Sequence, residues 1–264
     1  TKECCFMSRI KDVFKKEKAL IAFITGGDPN IETTARLIHA MSAAGADIIE
    51  IGIPFSDPIA EGPVIQDAGT RALRAGCTTD KLFNMAAELS KDIKAPLLFM
   101  TYANPIFAYG KERFMKRCNQ CGIDGIIIPD TPYEERGEFT DACRQYGIDL
   151  IPMVAPTSAE RVAEIGKIAE GFLYCVSSLG VTGIREKLTG EIADIINIVR
   201  RVSDIPCAIG FGISTPEQAR QMTRYADGVI IGSAIVKIIA EYGENSIGPV
   251  SAYISQIKKA ISEQ

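Results

Sequence analysis

The chain has 264 residues, a length that fits one large domain or two of roughly 150 residues each, and its 47% hydrophobic and 23% charged composition excludes a disordered chain. Its 29 basic and 33 acidic residues give a net charge of −4, a balance that does not suit a nucleic-acid backbone or an anionic membrane as partner. Apolar runs such as Ala19 to Thr25 and Gly228 to Ala240 stop short of the ~20 residues of a membrane span, and no apolar leader opens the sequence, so a soluble cytoplasmic protein with free thiols is expected.

In chain order, short β-branched runs alternate with longer segments of helical period. The predicted strands are 20–25, 47–52, 96–101, 125–128, 149–154, 171–176, 206–210 and 228–232. The first is followed by the turn Gly26-Gly27-Asp28-Pro29 and a predicted helix over 31–44. A small helix near 66–75 and another over 79–91 precede the third strand. Helices are then predicted over 112–120, 134–146, 158–169, 191–202 and 215–225, with a short helical run opening after Gly232 and a last helix over 248–262. Thr157 with Glu160, and Thr215 with Gln218, have capping-box spacing, and Pro216 suits a first helical position. Eight β-then-α units without a linker or composition break predict an α/β fold, a single (β/α)8 TIM barrel spanning residues 1–264. An open doubly wound sheet is the second choice; it lacks a G-x-G-x-x-G after the first strand and would leave two edges unprotected. Long βα loops follow strands two and six, over 53–79 and 177–190, and in a barrel they lie over the C-terminal mouth.

Metal and histidine chemistry find little support. Cys118 and Cys121 form a C-x-x-C without a second pair at zinc spacing, and His39, in the predicted helix 31–44, is the single histidine and reads as a surface or boundary residue. No metal site is expected. Glu50 is different, because it interrupts a strand otherwise made of isoleucine, Ile48-Ile49-Glu50-Ile51, just before the first long loop. A carboxylate there is costly unless paired or wet, and an apolar setting raises its pKa toward neutrality, where a group can both give and take a proton. The loop that follows carries Pro54, Pro58 and Pro63 around Asp57 and Glu61, a stiffness that suits positioned carboxylates. Later, Gly210-Phe211-Gly212 and Gly232-Ser233 end strands seven and eight; glycine amides and a serine at a helix start make an anion site, the usual phosphate arrangement in barrels. The stretch from Ser177 to Gly183 adds further amides or a lid.

The run Ile49-Glu-Ile-Gly-Ile-Pro-Phe-Ser-Asp-Pro58, followed by Gly62-Pro-Val-Ile-Gln66, resembles the signature of the tryptophan synthase alpha subunit family. So do Thr25–Pro29, Tyr102-Ala-Asn104, Pro129-Asp130, Gly180-Val-Thr-Gly183 and Gly210-Phe-Gly-Ile213, which occur in the family's order and cover about residues 14–262. The resemblance implies a lyase of L-tryptophan biosynthesis that splits indole-3-glycerol phosphate into indole and glyceraldehyde 3-phosphate by a retro-aldol reaction. It assigns Glu50 as general acid/base and Glu61 as the carboxylate facing the indole nitrogen, although the family pattern has Asp at that place. It implies an apolar indole pocket of Phe23, Leu98, Met100, Tyr102, Met153 and Tyr174, with Ile128 or Pro129. Phosphate contacts would come from Gly183, Phe211, Gly212, Gly232 and Ser233, and Asp57 and Thr182 would belong to the loop and lid. No cofactor is expected in this chain; a beta subunit carrying pyridoxal phosphate is the implied partner, in an alpha-beta-beta-alpha heterotetramer.

Two alternatives remain, a free-standing indole-3-glycerol phosphate lyase and, from another class, a mainly binding and regulatory alpha-type subunit with weak activity. A phosphoribosyl isomerase on the same barrel would place acid and base on strands one and five, and strand one carries no carboxylate.

Overall fold

The computed structural model describes residues 8–176, 185–210 and 212–263. Parallel strands β1 (Ala19–Thr25), β2 (Ile48–Gly52), β3 (Leu97–Met100), β4 (Ile123–Ile127), β5 (Asp149–Leu150), β6 (Met153–Val154), β7 (Leu173–Val176), β8 (Cys207–Gly210) and β9 (Gly228–Ile231) make one sheet in the order β5-β4-β3-β2-β1-β9-β8-β7-β6. The two ends of that order are consecutive in sequence, separated by Ile151 and Pro152. They are halves of the fifth barrel strand, and the chain between them closes the sheet into a TIM barrel. The sequence predicts one unbroken strand over 149–154; Pro152 breaks it because it has no N–H for the ladder. Ile151 N–H donates back to Ile126 O at 2.9 Å, and Pro152 O accepts from Tyr174 N–H at 3.0 Å, so the segment leaves β4 and joins β7 at that point.

Alternation along each strand sorts side chains into two layers. Ile21, Ile48, Leu98, Ile127, Ile151, Phe172, Ala208 and Ile230 fill the barrel interior. Leu20, Ala22, Ile24, Ile49, Ile51, Leu97 and Phe99 face the surrounding helices. Both faces being buried accounts for the nearly continuous apolar runs. The short helix α1 (Arg9–Val13), which carries no strong pattern in the sequence, puts fully buried Ile10 into the interior cluster.

The helices run α2 (Ile31–Ala43), α3 (Pro63–Arg74), α4 (Thr79–Leu89), α5 (Ala103–Tyr109), α6 (Lys111–Gln120), α7 (Gly137–Tyr146), α8 (Ala159–Ile168), α9 (Arg185–Arg200), α10 (Pro216–Met222), α11 (Ser233–Tyr242) and α12 (Ile247–Ser262). Helix α3 starts at Pro63, three residues ahead of the predicted small helix, because Pro63 is pre-organised for the first helical position after Gly62. A 3-10 turn, Tyr133–Glu135, takes the first residues of the helix predicted from 134. Helix α9 begins six residues before the predicted 191, and α5 is an addition to the predicted set. The capping box of Thr215 and Gln218 forms. That of Thr157 and Glu160 does not, since the neighbouring Ser158 takes the cap and accepts from Arg161 N–H.

At the N-terminal end of the barrel, acids placed just before or at strand starts bind backbone N–H groups of adjacent strands. Leu20 N–H donates to Asp47 at 2.7 Å, Leu97 N–H to Asp124 at 3.0 Å, and Cys207 N–H to Asp227 at 2.9 Å. Asp47 also meets the Lys258 ammonium of α12 at 2.8 Å, tying the last helix to the first strands. Replacing Asp47 by Ala removes an acceptor from a buried amide and the anion facing Lys258, and a loss of about 1–3 kcal/mol in urea unfolding is expected. Asp47→Asn keeps an acceptor, so its loss is expected to be smaller.

Candidate active site

The C-terminal ends of the strands carry the residues that the sequence singles out. Register places Phe23 of β1, Glu50 of β2 and Leu98 of β3 side by side, one inward step above Ile21 and Ile48. Glu50 is fully buried, and neither carboxylate oxygen has a hydrogen-bond partner. Burial alone pushes its pKa up to about 8, so the carboxyl is mostly protonated at neutral pH. Tyr174 of β7 lies near enough for the Glu50 charge to act on it; burial first, and that charge second, hold its phenol well above the ordinary value.

Missing side chains give these rings their room. A Cβ on Gly52 would stand 2.7 Å from Cζ of Phe23, and one on Gly210 would stand 2.6 Å from the Tyr174 ring and hydroxyl. Any larger residue at either place would push an aromatic ring off the wall beside Glu50. Met100 packs between the interior cluster and the Phe23 cluster, and Met153 borders the interior cluster, so both lie on the same wall. On β4 the inward residue is Ile127, whereas Ile128 faces the helices; the alternation of a strand was sufficient to assign this. Pro129 and Met153 line a cavity of about 460 Å³ beside the broken fifth strand.

Glu61 closes the segment between β2 and α3. It is half-buried; burial raises its pKa, and the Tyr102 hydroxyl acts against that rise. Tyr102 is 2% exposed, and its hydroxyl oxygen accepts from Ala60 N–H at 3.0 Å, which leaves the O–H to serve the neighbouring Glu61 carboxylate. Gln66 Nε2 of α3 donates to the Glu61 carbonyl at 2.8 Å. Phe55 lies against Tyr102 with ring centroids 5.4 Å apart. Tyr102 is therefore a support for the loop as well as a wall residue, which spacing in the sequence does not reveal. Asp57, by contrast, is exposed and bonded to Ser56, apart from this cluster. Asp130 accepts from Ala103 N–H at 2.9 Å and holds the start of α5.

Beside Phe23, at the end of the strand next to β1, Gly232 precedes α11 with no side chain capping its first amides, and Ser233 opens the helix with its side chain exposed. Such an end attracts anions. Gly212 has φ +74°, and nothing lies within 4 Å of where a Cβ would stand. Thr182, Gly183 and Phe211 lie outside the described residues. Of the cysteines weighed for metal, Cys118 and Cys121 are buried, with burial pushing both thiols up, and His39 is exposed on α2. Among the described residues no three His, Cys, Asp or Glu side chains group to hold a metal ion, and no helix is long and apolar enough to cross a membrane.

Comparison with known proteins identifies the family. The family model described as tryptophan synthase alpha chain matches residues 10–262. The tryptophan synthase alpha chain of Lacticaseibacillus casei is 44% identical over 255 residues, covering 97% of this chain and 96% of that protein. That of Alkaliphilus metalliredigens is 49% identical over 243 residues, covering 91% of each. The crystal structure of tryptophan synthase subunit alpha from Legionella pneumophila superposes with a TM-score of 0.89 at 37% identity, covering 98% of this chain and 100% of that one.

The Glu50 carboxyl also sets a pH dependence of stability. Its folded pKa of about 8 lies above the ordinary 4.5, so the stability it contributes is fully present below about 4.5 and is lost as pH rises through 8. Glu50→Gln cannot ionise. Its urea midpoint is expected to gain on the wild type as pH rises from about 5 to about 9; a difference constant over that range contradicts the raised pKa.

Proposed function

The chain belongs to the tryptophan synthase alpha chain family, and from that membership together with the two dissimilar carboxyl groups at the barrel mouth we propose that it splits indole-3-glycerol phosphate into indole and glyceraldehyde 3-phosphate. Membership makes it an alpha subunit of tryptophan biosynthesis and a lyase-type enzyme. The observation that carries the specific reaction is Glu50, an unpaired buried carboxyl that is protonated at neutral pH among apolar walls.

On this reading, protonated Glu50 delivers its proton to indole C3, and the positive charge that develops on the ring nitrogen is met by the Glu61 carboxylate. The Glu50 carboxylate then takes the proton of the side-chain hydroxyl. The carbon–carbon bond breaks, its electron pair restores the aromatic ring, the hydroxyl carbon becomes the aldehyde, and Glu50 is protonated again. A group with a pKa near neutrality suits both directions of transfer, and a fixed charge facing the ring nitrogen stabilises the cation where it forms. Phe23, Leu98, Met100, Tyr102, Met153 and Tyr174 would hold the indole. Gly212, Gly232 and Ser233, with Gly183 and Phe211, would hold the phosphate at the start of α11.

The partner on this reading is a beta-type subunit, to which pyridoxal phosphate chemistry would belong. Ile59, 79% exposed in the Glu61 segment, and Phe107, 51% exposed on α5, support an apolar contact at the mouth. An indole-forming assay with and without that subunit separates this partnership from a free-standing lyase.

Glu50→Gln keeps the shape and removes the proton carrier, so cleavage is expected to fall by about 10² to 10⁴ with the fold retained; retention of more than about a tenth of the rate places the essential acid elsewhere. Glu61→Asp keeps the charge, and its loss is expected to stay within about tenfold, whereas Glu61→Gln keeps the length and is expected to lose far more. Equal rates for Gln and Glu at position 61 reduce it to a loop acid.

A further inference from the structure

Arg71, on the third turn of α3, donates from Nε and Nη2 to the two carboxylate oxygens of Asp28, at 2.9 and 2.8 Å. Asp28 is 1% exposed. The Arg71 side chain is 36% exposed, so the desolvation cost falls on the Asp28 carboxylate, and its attraction to a partly hydrated guanidinium need not repay that cost; stability alone is a weak account of the pair.

The pair joins the two pieces of chain that frame the Glu61 segment. Asp28 belongs to the turn after β1, in which Gly26 N–H donates to Gly52 O at 2.8 Å, and Gly52 is the last residue of β2 before that segment begins. Gly27 N–H donates to Thr34 Oγ1 at 3.0 Å and ties the turn to α2. The turn also receives the Cys77 thiol on Gly26 O at 3.5 Å, just beyond the far end of α3. Arg71 lies in α3, whose first turn follows Glu61 directly and whose Gln66 grips the Glu61 carbonyl. A single turn therefore fixes both the strand that bears Glu50 and the helix that holds the backbone of Glu61. Val64, Ile65 and Ala68 of α3 pack with Phe23 and Val236, but these contacts carry no directional bond to the turn after β1. A two-pronged guanidinium–carboxylate pair fixes angle as well as distance.

We propose that Asp28 and Arg71 are positioning residues for the cleavage reaction, setting the height of α3 over the barrel mouth and so the placement of Glu61 relative to Glu50, through the contacts Asp28, Arg71, α3, Gln66, Glu61. The inference rests on the reading of Glu61 as the carboxylate that faces the ring. A carboxylate displaced by about an ångström still lets substrate bind at the phosphate end but stabilises the ring cation less, so the effect falls on kcat rather than KM.

The test measures indole formation by the full chain, with kcat and KM separated. Arg71→Met keeps the stem and removes the fork; its kcat is expected to fall about 10- to 100-fold with KM changed less than about threefold, and Arg71→Lys is expected to recover part of the loss. Gln66→Leu cuts the same chain of contacts at its other end, so the double variant is expected to fall no further than the worse single one. An unchanged kcat in Arg71→Met, or losses that multiply in the double variant, overturns the proposal. If Arg71→Met does not fold, Arg71→Lys combined with Gln66→Leu completes the same cycle. Glu61→Gln assayed alongside separates the two readings. Full activity there discards the role of Glu61, whereas lost activity there beside a normal kcat in Arg71→Met discards the positioning pair alone.

Discussion

A carboxyl group enclosed by the barrel wall with no hydrogen-bond partner is the constraint around which the mouth of this protein is built. An ordinary carboxylate in such a place would cost several kcal/mol, and the group meets that cost by holding its proton. The contrast with the other end of the barrel is instructive. Asp47 and Asp227 accept from strand N–H groups, and Asp47 also faces a lysine, so these acids complete the backbone ladder. Glu50 completes nothing in the chain. Its polar atoms are left for something that enters the barrel, and polar groups that break the rule of internal satisfaction concentrate at functional sites.

The second carboxyl group is placed differently. On the proposed reading Glu61 carries a charge near an apolar space while sitting on a loop, and loops are the mobile part of a barrel. Proline stiffness, the Tyr102 hydroxyl under Ala60, and the Gln66 side chain on the Glu61 carbonyl hold it from three directions. Burial raises the pKa of both carboxyls, Glu50 to about 8, and only at Glu61 does a hydrogen-bond donor, the Tyr102 hydroxyl, oppose that rise, so two groups of one chemical type sit in different environments. On the proposed reading, that difference suits a reaction in which one proton moves and one positive charge must be met.

Much of this was legible in the sequence because it depends on local pattern. Isoleucine-rich runs separated by helical periods specify a barrel with both strand faces buried, and a lone Glu50 in such a run announces itself. What stayed hidden depends on contacts between distant segments. Nothing local distinguishes Arg71 from a solvent-facing helix residue; only the fold brings it to Asp28. Gly210 reads as half of an anion motif, yet the fold gives it the further task of clearing space for Tyr174. The broken fifth strand could have been read from Pro152, whose missing N–H forbids a continuous ladder. Adjacent hydroxyls at Thr157 and Ser158 left the start of α8 ambiguous by one residue, and the fold chose the second.

Glu50 is an uncharged acid at neutral pH because the barrel strips it of water and offers no partner. The direct measurement is its own titration, followed by NMR of the chain labelled with ¹³C at glutamate side-chain carboxyls, with Glu50→Gln identifying the signal by its absence. A midpoint of about 8 is expected. A midpoint near the ordinary 4.5 would mean that the site hydrates or pairs this carboxylate and that Glu50 is ionised at neutral pH.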